Sequence, residues 1–404
     1  MTGASMHPLP GELPGQAKGR GTVGRSRARA IALLASLALL ATACNGESGG
    51  DGNGDNGDGG GNGSMEPIVI GLVGSLTGPE SFFAAPNATG IEMAAEELAE
   101  EGLNGRDVEL IVEDSESRPQ GAIDAASKLI NVDNVDMLIS TVSDFNVVAE
   151  FAQGEGVFLV NGGASNPLIR DLPGTNISMV SLDDTVAQNL ASWAYDEGYR
   201  EAAVLVGDDP YGLGVQEFVS QGFEDAGGTV LLSLAVPYGE PDYRPEMQRI
   251  ADADPDVIFS ATFADDAKLQ FRQLGELGED APWFELYPTV LGLDDYGPAF
   301  GRLYGLDIGW ESEESADWKS RYEAMFGEEP GVPWPALGYD TFQLSALAVA
   351  NAESDDPEAQ REAFLAAAQA YAGPSGQLEF DEDYTRINQI YDRLVLTEDG
   401  FAPA

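Results

Sequence analysis

The chain has 404 residues, with 20 Lys and Arg against 69 Asp and Glu, a formal net charge of −49. Such a surface repels nucleic acid and anionic lipid headgroups, so binding to nucleic acid by counterion release is excluded. His7 and Cys44 are the only residues of their types, so beyond residue 44 the sequence offers no imidazole base, no thiolate nucleophile and no Cys/His zinc site, and no cofactor or metal is expected.

In chain order, the first feature is a leader. Lys18, Arg20, Arg25, Arg27 and Arg29 precede an apolar, small-residue run over 30–43, and Cys44 follows. About fourteen apolar residues are short for a membrane span but suit a secretory signal. Ala41-Thr42-Ala43-Cys44 resembles the lipobox of bacterial lipoproteins, with Ala41 where leucine is usual. The resemblance implies a signal peptide over 1–44 and a diacylglyceryl group on Cys44, anchoring an extracytoplasmic protein to the cell membrane. A plain secretory signal with an incidental cysteine is the other reading. From Asn45 to Ser64 the residues are nearly all Gly, Asn, Asp and Ser. Such a segment cannot bury a core, and 45–66 is predicted to be a disordered linker with a reach of about 25 Å. Past residue 44 the balance is 15 basic against 68 acidic residues, −53, and the whole chain has four lysines. Solubility accounts for this charge; adaptation to high salt, which screens self-repulsion, is the sharper expectation.

From Pro67 strands and helices alternate. PIVIGLV is apolar and β-branched and reads as a buried parallel strand. The loop after it, GLVGSLTG, lacks the G-x-G-x-x-G spacing, and no lysine follows a glycine, so the phosphate loop is absent. In GIEMAAEELAEEG, Ile91, Ala94, Ala95 and Leu98 fall on one helical face. Strand DVELIVED, helix GAIDAASKLI, and strands VDMLIS and VFLV follow. Near Ser181 the pattern restarts: helix VAQNLASWAYDEG, strand EAAVLVG, helix GVQEFVSQGFEDAG, strand TVLLSLAV, helix YRPEMQRIADA, strand DVIFSAT and helix DAKLQFRQLGELG. This alternation predicts an α/β fold with doubly wound parallel sheets, whose ligands bind beyond the carboxyl ends of the strands. STVSDFNVV and NGGASNP fall there. Their hydroxyls and free N–H groups suit a ligand carboxylate; helix capping accounts equally well for Ser143 and Asp144.

Several segments together resemble the type I periplasmic binding proteins of ABC transporters, in the branched-chain amino acid group. They are IGLVGSLTGPES, VELIVEDSESRPQGAIDAASKLI, GVFLVNGGASNPLIRD, AAVLVGDDPYGLGVQEFVSQGFEDAGGTV, DYRPEMQRIADADPDVIFSATFADDAKLQFRQLGELG, GYDTFQLSALAVANA and GPSGQLEFDED. The resemblance implies two lobes joined by a multi-strand hinge, lobe one being 67–185 with 310–375 and lobe two 186–309 with 376–404. It implies a monomer that closes on a small solute, with an amino acid as the leading class, and docks on an ABC permease without chemistry. By the family's motifs, Ser143 contacts the ligand headgroup, Gly163, Ala164 and Ser165 give backbone and hydroxyl contacts, and Tyr211 and Phe263 are aromatic walls. Those aromatics could equally be packing residues. Two positions depart from the family. Tyr287 stands where a glutamate faces the ligand ammonium, with Glu285 two places away, and Asp144 puts a carboxylate at a helix start, which would compete with a ligand carboxylate or recognise a cation or amide. Phe82 and Phe83 either cap an apolar side chain or pack. A ligand-sensing receptor with the same clamp, a binder of amides or other small carboxylates, and a carboxylate-based hydrolase are the alternatives.

Overall fold

The computed structural model describes residues 66–142, 144–172, 176–291, 301–310 and 313–404. The expected signal peptide, most of the linker and Cys44 lie outside these residues. The first sheet is built from β1 (Ile68–Gly74), β2 (Val108–Asp114), β3 (Met137–Ser140), β4 (Leu159–Asn161) and β5 (Ile177–Ser178). It is 5-stranded in the order β2-β1-β3-β4-β5, and every pairing is parallel. β1 sits inside the sheet, and Ile68, Ile70, Leu72 and Val73 are fully buried, as expected for a parallel strand covered on both faces.

Helices α1 (Ser81–Glu101), α2 (Pro119–Asn131) and α3 (Asp144–Glu155) connect these strands. α1 begins well before the predicted GIEM face and contains Pro86. Proline removes one helical N–H and argues against a helix in sequence, but Asn87 anchors this first part. Its Nδ2 donates to the carbonyls of Gly162 (3.1 Å) and Trp334 (3.3 Å).

The second layer system follows as α4 (Asp183–Asp196), β6 (Glu201–Gly207), α5 (Pro210–Ala226), β7 (Thr229–Val236), α6 (Arg244–Ala253), β8 (Val257–Ala261), α7 (Ala264–Glu276), β9 (Trp283–Leu286) and β10 (Leu303–Ile308). The chain then forms α8 (Glu313–Phe326), α9 (Trp334–Asn351) and α10 (Pro357–Ala368), and ends in β11 (Tyr391–Thr397) and β12 (Gly400–Pro403). The second sheet is 7-stranded, in the order β12-β11-β10-β9-β8-β6-β7. Its core is parallel, but β11 runs antiparallel to both β10 and β12, where the sequence pattern predicts parallel sheets alone. Mixed sheets with an antiparallel edge are common in doubly wound folds, because an edge strand needs no crossover helix.

Helix α9 returns to the first sheet and packs along α1. It is buried on nearly all sides, which marks a core helix. The two backbones approach through glycines: a Cβ on Gly90 would lie 1.7 Å from the Pro335 carbonyl oxygen, and one on Gly338 would lie 2.0 Å from that of Asn87.

The chain passes between the sheets after β5, after β10 and again before β11. These crossings are bonded side by side. Ser181 Oγ donates to the Arg386 carbonyl at 2.8 Å, the Ser181 N–H to Gln389 Oε1 at 2.9 Å, and the Gly309 N–H to the Ile390 carbonyl at 2.7 Å. Arg386, 2% exposed, donates to the Ser375 and Gln377 carbonyls.

Candidate ligand-binding site

A cavity of about 440 Å³ lies between the two sheets. Its wall is assembled from the residues that follow the strands. The loop after β1 and the start of α1 give Pro79, Glu80, Phe82 and Phe83. The loop after β3 and α3 give Val142 and Asn146, and the loop after β4 gives Gly163 to Asn166. From the second sheet come Asp209 and Tyr211 after β6, Tyr238 after β7, Phe263 and Asp266 after β8, and Tyr287 after β9; Trp334 closes one side from the start of α9. Seven strands, β1, β3, β4, β6, β7, β8 and β9, contribute at their carboxyl ends, where open α/β sheets leave helix starts and loops pointing outward.

The wall is mostly aromatic, and its rings meet across the cleft. Phe83 lies 5.2 Å from Trp334 within the first lobe, and 5.4 Å from Phe263 and 6.3 Å from Tyr287 on the second. Phe82 and Phe263 are 5.7 Å apart, Tyr211 and Phe263 5.6 Å, and Tyr287 and Trp334 5.4 Å. Ring pairs at these separations contribute about 0.5–1.5 kcal/mol beyond area burial.

Behind the rings lies a buried polar knot. Asp183, fully buried at the start of α4, accepts from Ser165 Oγ at 2.7 Å and from the Tyr287 hydroxyl at 2.7 Å. Burial pushes its carboxyl up to about 7, against the lowering pull of the hydrogen bonds from Tyr287 and Ser165. Burial raises the Tyr287 and Tyr211 hydroxyls too, with Asp183 adding to both. The Tyr211 hydroxyl is shut off from solvent and makes no hydrogen bond of normal geometry. Glu285, 1% exposed on β9, is raised well above the ordinary carboxyl range by burial.

Two backbone positions in the wall are unusual. Val142 has φ 51° and Tyr287 φ 55°. A left-handed conformation costs a β-branched or bulky residue of order 1–3 kcal/mol and persists where its surroundings impose it. At Tyr287 that turn delivers the hydroxyl to Asp183.

Of the residues singled out in the sequence, Gly163, Ala164, Ser165, Tyr211, Phe263 and Tyr287 line the cavity. Ser143 lies outside the described residues. Asp144 is not part of the lining: at 3% exposure its Oδ2 accepts from Ser75 Oγ (2.9 Å) and Ser115 Oγ (2.8 Å). Burial raises its carboxyl to about 6 while both serines oppose the shift. Glu285 is likewise behind the wall. Sequence reasoning passed over Trp334, Tyr238, Asp209, Asp266, Glu80 and Asp183. The Asp209 cap was the signal within reach, since DDPYG reads as Asx before a helix, and its Oδ1 does accept from the N–H groups of Tyr211 and Gly212. Among the described residues no group of three or more His, Cys, Asp or Glu side chains could hold a metal ion, and no helix is long and apolar enough to cross a membrane.

Two α/β lobes with an aromatic cavity between them, reached from the carboxyl ends of both sheets, define a ligand-binding clamp. Residues 67–394 match the family model described as periplasmic binding protein, and the chain belongs to that family of solute-binding proteins, whose members work outside the cytoplasm. The leucine-, isoleucine-, valine-, threonine- and alanine-binding protein of Pseudomonas aeruginosa is 25% identical over 331 residues, covering 78% of this chain and 86% of that one. The fold is similar to a leucine-binding protein from Thermotoga maritima (TM-score 0.75, 22% identity, 83% of this chain and 97% of that one). It is also similar to the solute-binding protein of an ABC transporter from R. palustris in complex with benzoate (TM-score 0.73, 17% identity, 83% of this chain and 95% of that one).

Proposed function

We propose that this chain is the extracytoplasmic capture component of an ABC importer, that it takes a small solute with an amino acid as the leading class, and that it releases that solute unchanged to a membrane permease. The cavity between the lobes carries the reading: aromatic rings from both sheets converge on a space of about 440 Å³, enough for a small organic molecule. A ligand that touches both walls favours the closed arrangement by its differential affinity, and the bonded crossings near Ser181, Gly309 and Arg386 are the segments about which the lobes hinge. The opening and closing of periplasmic binding proteins about such hinges is a general example of ligand-driven domain closure. The sequence reading sets the lobe limits at 67–185 with 310–375 and 186–309 with 376–404; Tyr384 to Arg386 pair with Ser178 of the first sheet, so we place the last return to the second lobe at β11. The P. aeruginosa relative supports an amino-acid ligand, while the benzoate-bound neighbour shows that this fold also accommodates a carboxylate of another class.

Ser165 and the residues beside it would then meet the polar end of the solute. The Ser165 proton is committed to Asp183, so its oxygen serves as an acceptor. Cys44 would carry the lipid, and two acyl chains, at about 0.8 kcal/mol per buried methylene, hold a tethered protein on a bilayer. The protein acts as a monomer and is not an enzyme. A sensing role for the same clamp is set apart from import by the partner it binds.

The test is a thermal-shift screen against amino acids, amides, small carboxylates and amines, followed by mass spectrometry of any stabilising solute after prolonged incubation. A dose-dependent rise in Tm with the solute recovered intact is expected, since ligand bound only by the folded state stabilises it. Conversion of the solute would overturn the non-enzymatic reading, and no response across the library would overturn solute binding.

A further inference from the structure

The cavity wall carries the side chains of Glu80, Asp209 and Asp266, and among the described residues no Lys, Arg or His lines it. Its hydrogen-bond inventory leans the same way, with the Trp334 indole N–H and the Tyr211 hydroxyl as its buried donors without a partner. The N–H groups that would greet an anion at the NGGASN loop are already engaged: those of Gly163 and Ala164 both donate to Asn161 Oδ1, at 3.1 and 2.7 Å. The Ser165 hydroxyl donates to Asp183. Asn166 uses its side-chain oxygen to accept from the Leu168 N–H. Acceptors, by contrast, are in surplus. A carboxylate offers about four lone-pair sites. Asp209 takes the Tyr211 and Gly212 N–H groups on one oxygen and also the Tyr238 hydroxyl, Asp266 takes the Tyr243 hydroxyl and the Gly239 N–H, and Glu80 takes the Ser75 hydroxyl at 3.2 Å.

The rest of the wall complements a cation. Ring faces carry negative potential and attract ammonium groups, most strongly where water is excluded. Phe82, Phe83, Phe263, Tyr211, Tyr287 and Trp334 supply such faces around one space. A carboxylate entering this cavity would lose hydration and face three like charges, with the Trp334 N–H and the Tyr211 hydroxyl, both neutral, as the unengaged buried donors to offset them. An ammonium would find acceptors and π-faces. The apolar remainder of a ligand is served by the same rings.

We propose that the solute is held by its cationic end: it is an organic ammonium with an apolar body, and a carboxylate on it is dispensable. This deepens the solute-binding reading and rests on it.

Matched probes test the idea by calorimetry on the purified chain. L-phenylalanine, phenethylamine and 3-phenylpropionate share one skeleton and differ in which charged group is kept; leucine, isopentylamine and 4-methylpentanoate form an aliphatic set. Deleting the carboxylate is expected to change affinity by less than about threefold, and deleting the ammonium to weaken it by about tenfold or more, the loss expected for charged hydrogen bonds. In a Glu80→Gln/Asp209→Asn/Asp266→Asn variant the preference for amine over acid is expected to shrink by about fivefold or more, and asparagine keeps the α5 cap in place. Acids binding as tightly as amines, or amines failing to bind where the amino acids do, would overturn the proposal while leaving the clamp intact. Silence of both sets, with some other solute giving a thermal shift, would overturn the ammonium class alone. Silence of every solute would remove the binding reading with it.

Discussion

Asp183 receives Ser165 from one wall of the cleft and Tyr287 from the other, at 2.7 Å each. The two donors were visible in sequence through the family motifs, but the carboxylate that joins them was not. Its partners lie 18 and 104 residues away, and no local pattern distinguishes it from the neighbouring Asp184. Tyr287, which stands where the family has a glutamate, lines the cavity and donates its hydroxyl to this buried acid. Asp144 shows the converse: its type and place suggested a ligand contact, and Ser75 and Ser115 occupy it instead.

The pH dependence of Asp183 follows from burial. Its folded pKa is about 7, against an ordinary 3.8. Below about pH 4 it is protonated in both states and contributes no pH dependence. As pH rises through the range between those values, only the folded chain keeps the proton, so stability falls by ~1.4 kcal/mol per pH unit and levels off above the folded pKa. Asp183→Asn, which keeps one acceptor oxygen and presents an N–H donor to the second hydroxyl, has no proton to lose and is expected to lose this slope. Urea midpoints of the two proteins between about pH 4 and pH 8 check it: the wild-type curve should fall relative to the variant, and parallel curves would show that Asp183 is ionised in the fold.

Among the elements, the alternation of strands and helices was legible because buried parallel strands and amphipathic helices have distinct patterns. What failed has physical causes. Pro86 hid the first part of α1. Helix α9 is apolar on nearly all sides and so has no polar stripe to count. The antiparallel pairing of β11 depends on β10, distant in sequence, and not on anything within YDRLVLT. The α1–α9 contact matters most for the site, since α1 carries Phe82 and Phe83 and α9 carries Trp334. Gly90→Ala would force its Cβ against the Pro335 carbonyl, a backbone clash that no rotamer change relieves. The expected cost is about 1–3 kcal/mol or more, read as a lower urea midpoint with an unchanged slope. A neutral result would mean the helices separate without penalty.

Over the whole molecule, the excess of acid is the dominant property. With 69 acidic and 20 basic residues in the chain, self-repulsion opposes the compact state and is relieved by screening. The Tm is expected to fall by several degrees on dilution from molar salt to about 10 mM; a flat or rising Tm would leave solubility as the sole account of the charge.

The account turns on a solute entering between the lobes beside Trp334. Tryptophan fluorescence, titrated with a solute that raises the Tm, tests this most directly. A saturable change that disappears in Trp334→Phe, with the thermal shift retained, is the expected result. A change that survives the substitution unaltered, or stabilisation with no change in the wild type, would place the solute elsewhere and contradict the clamp.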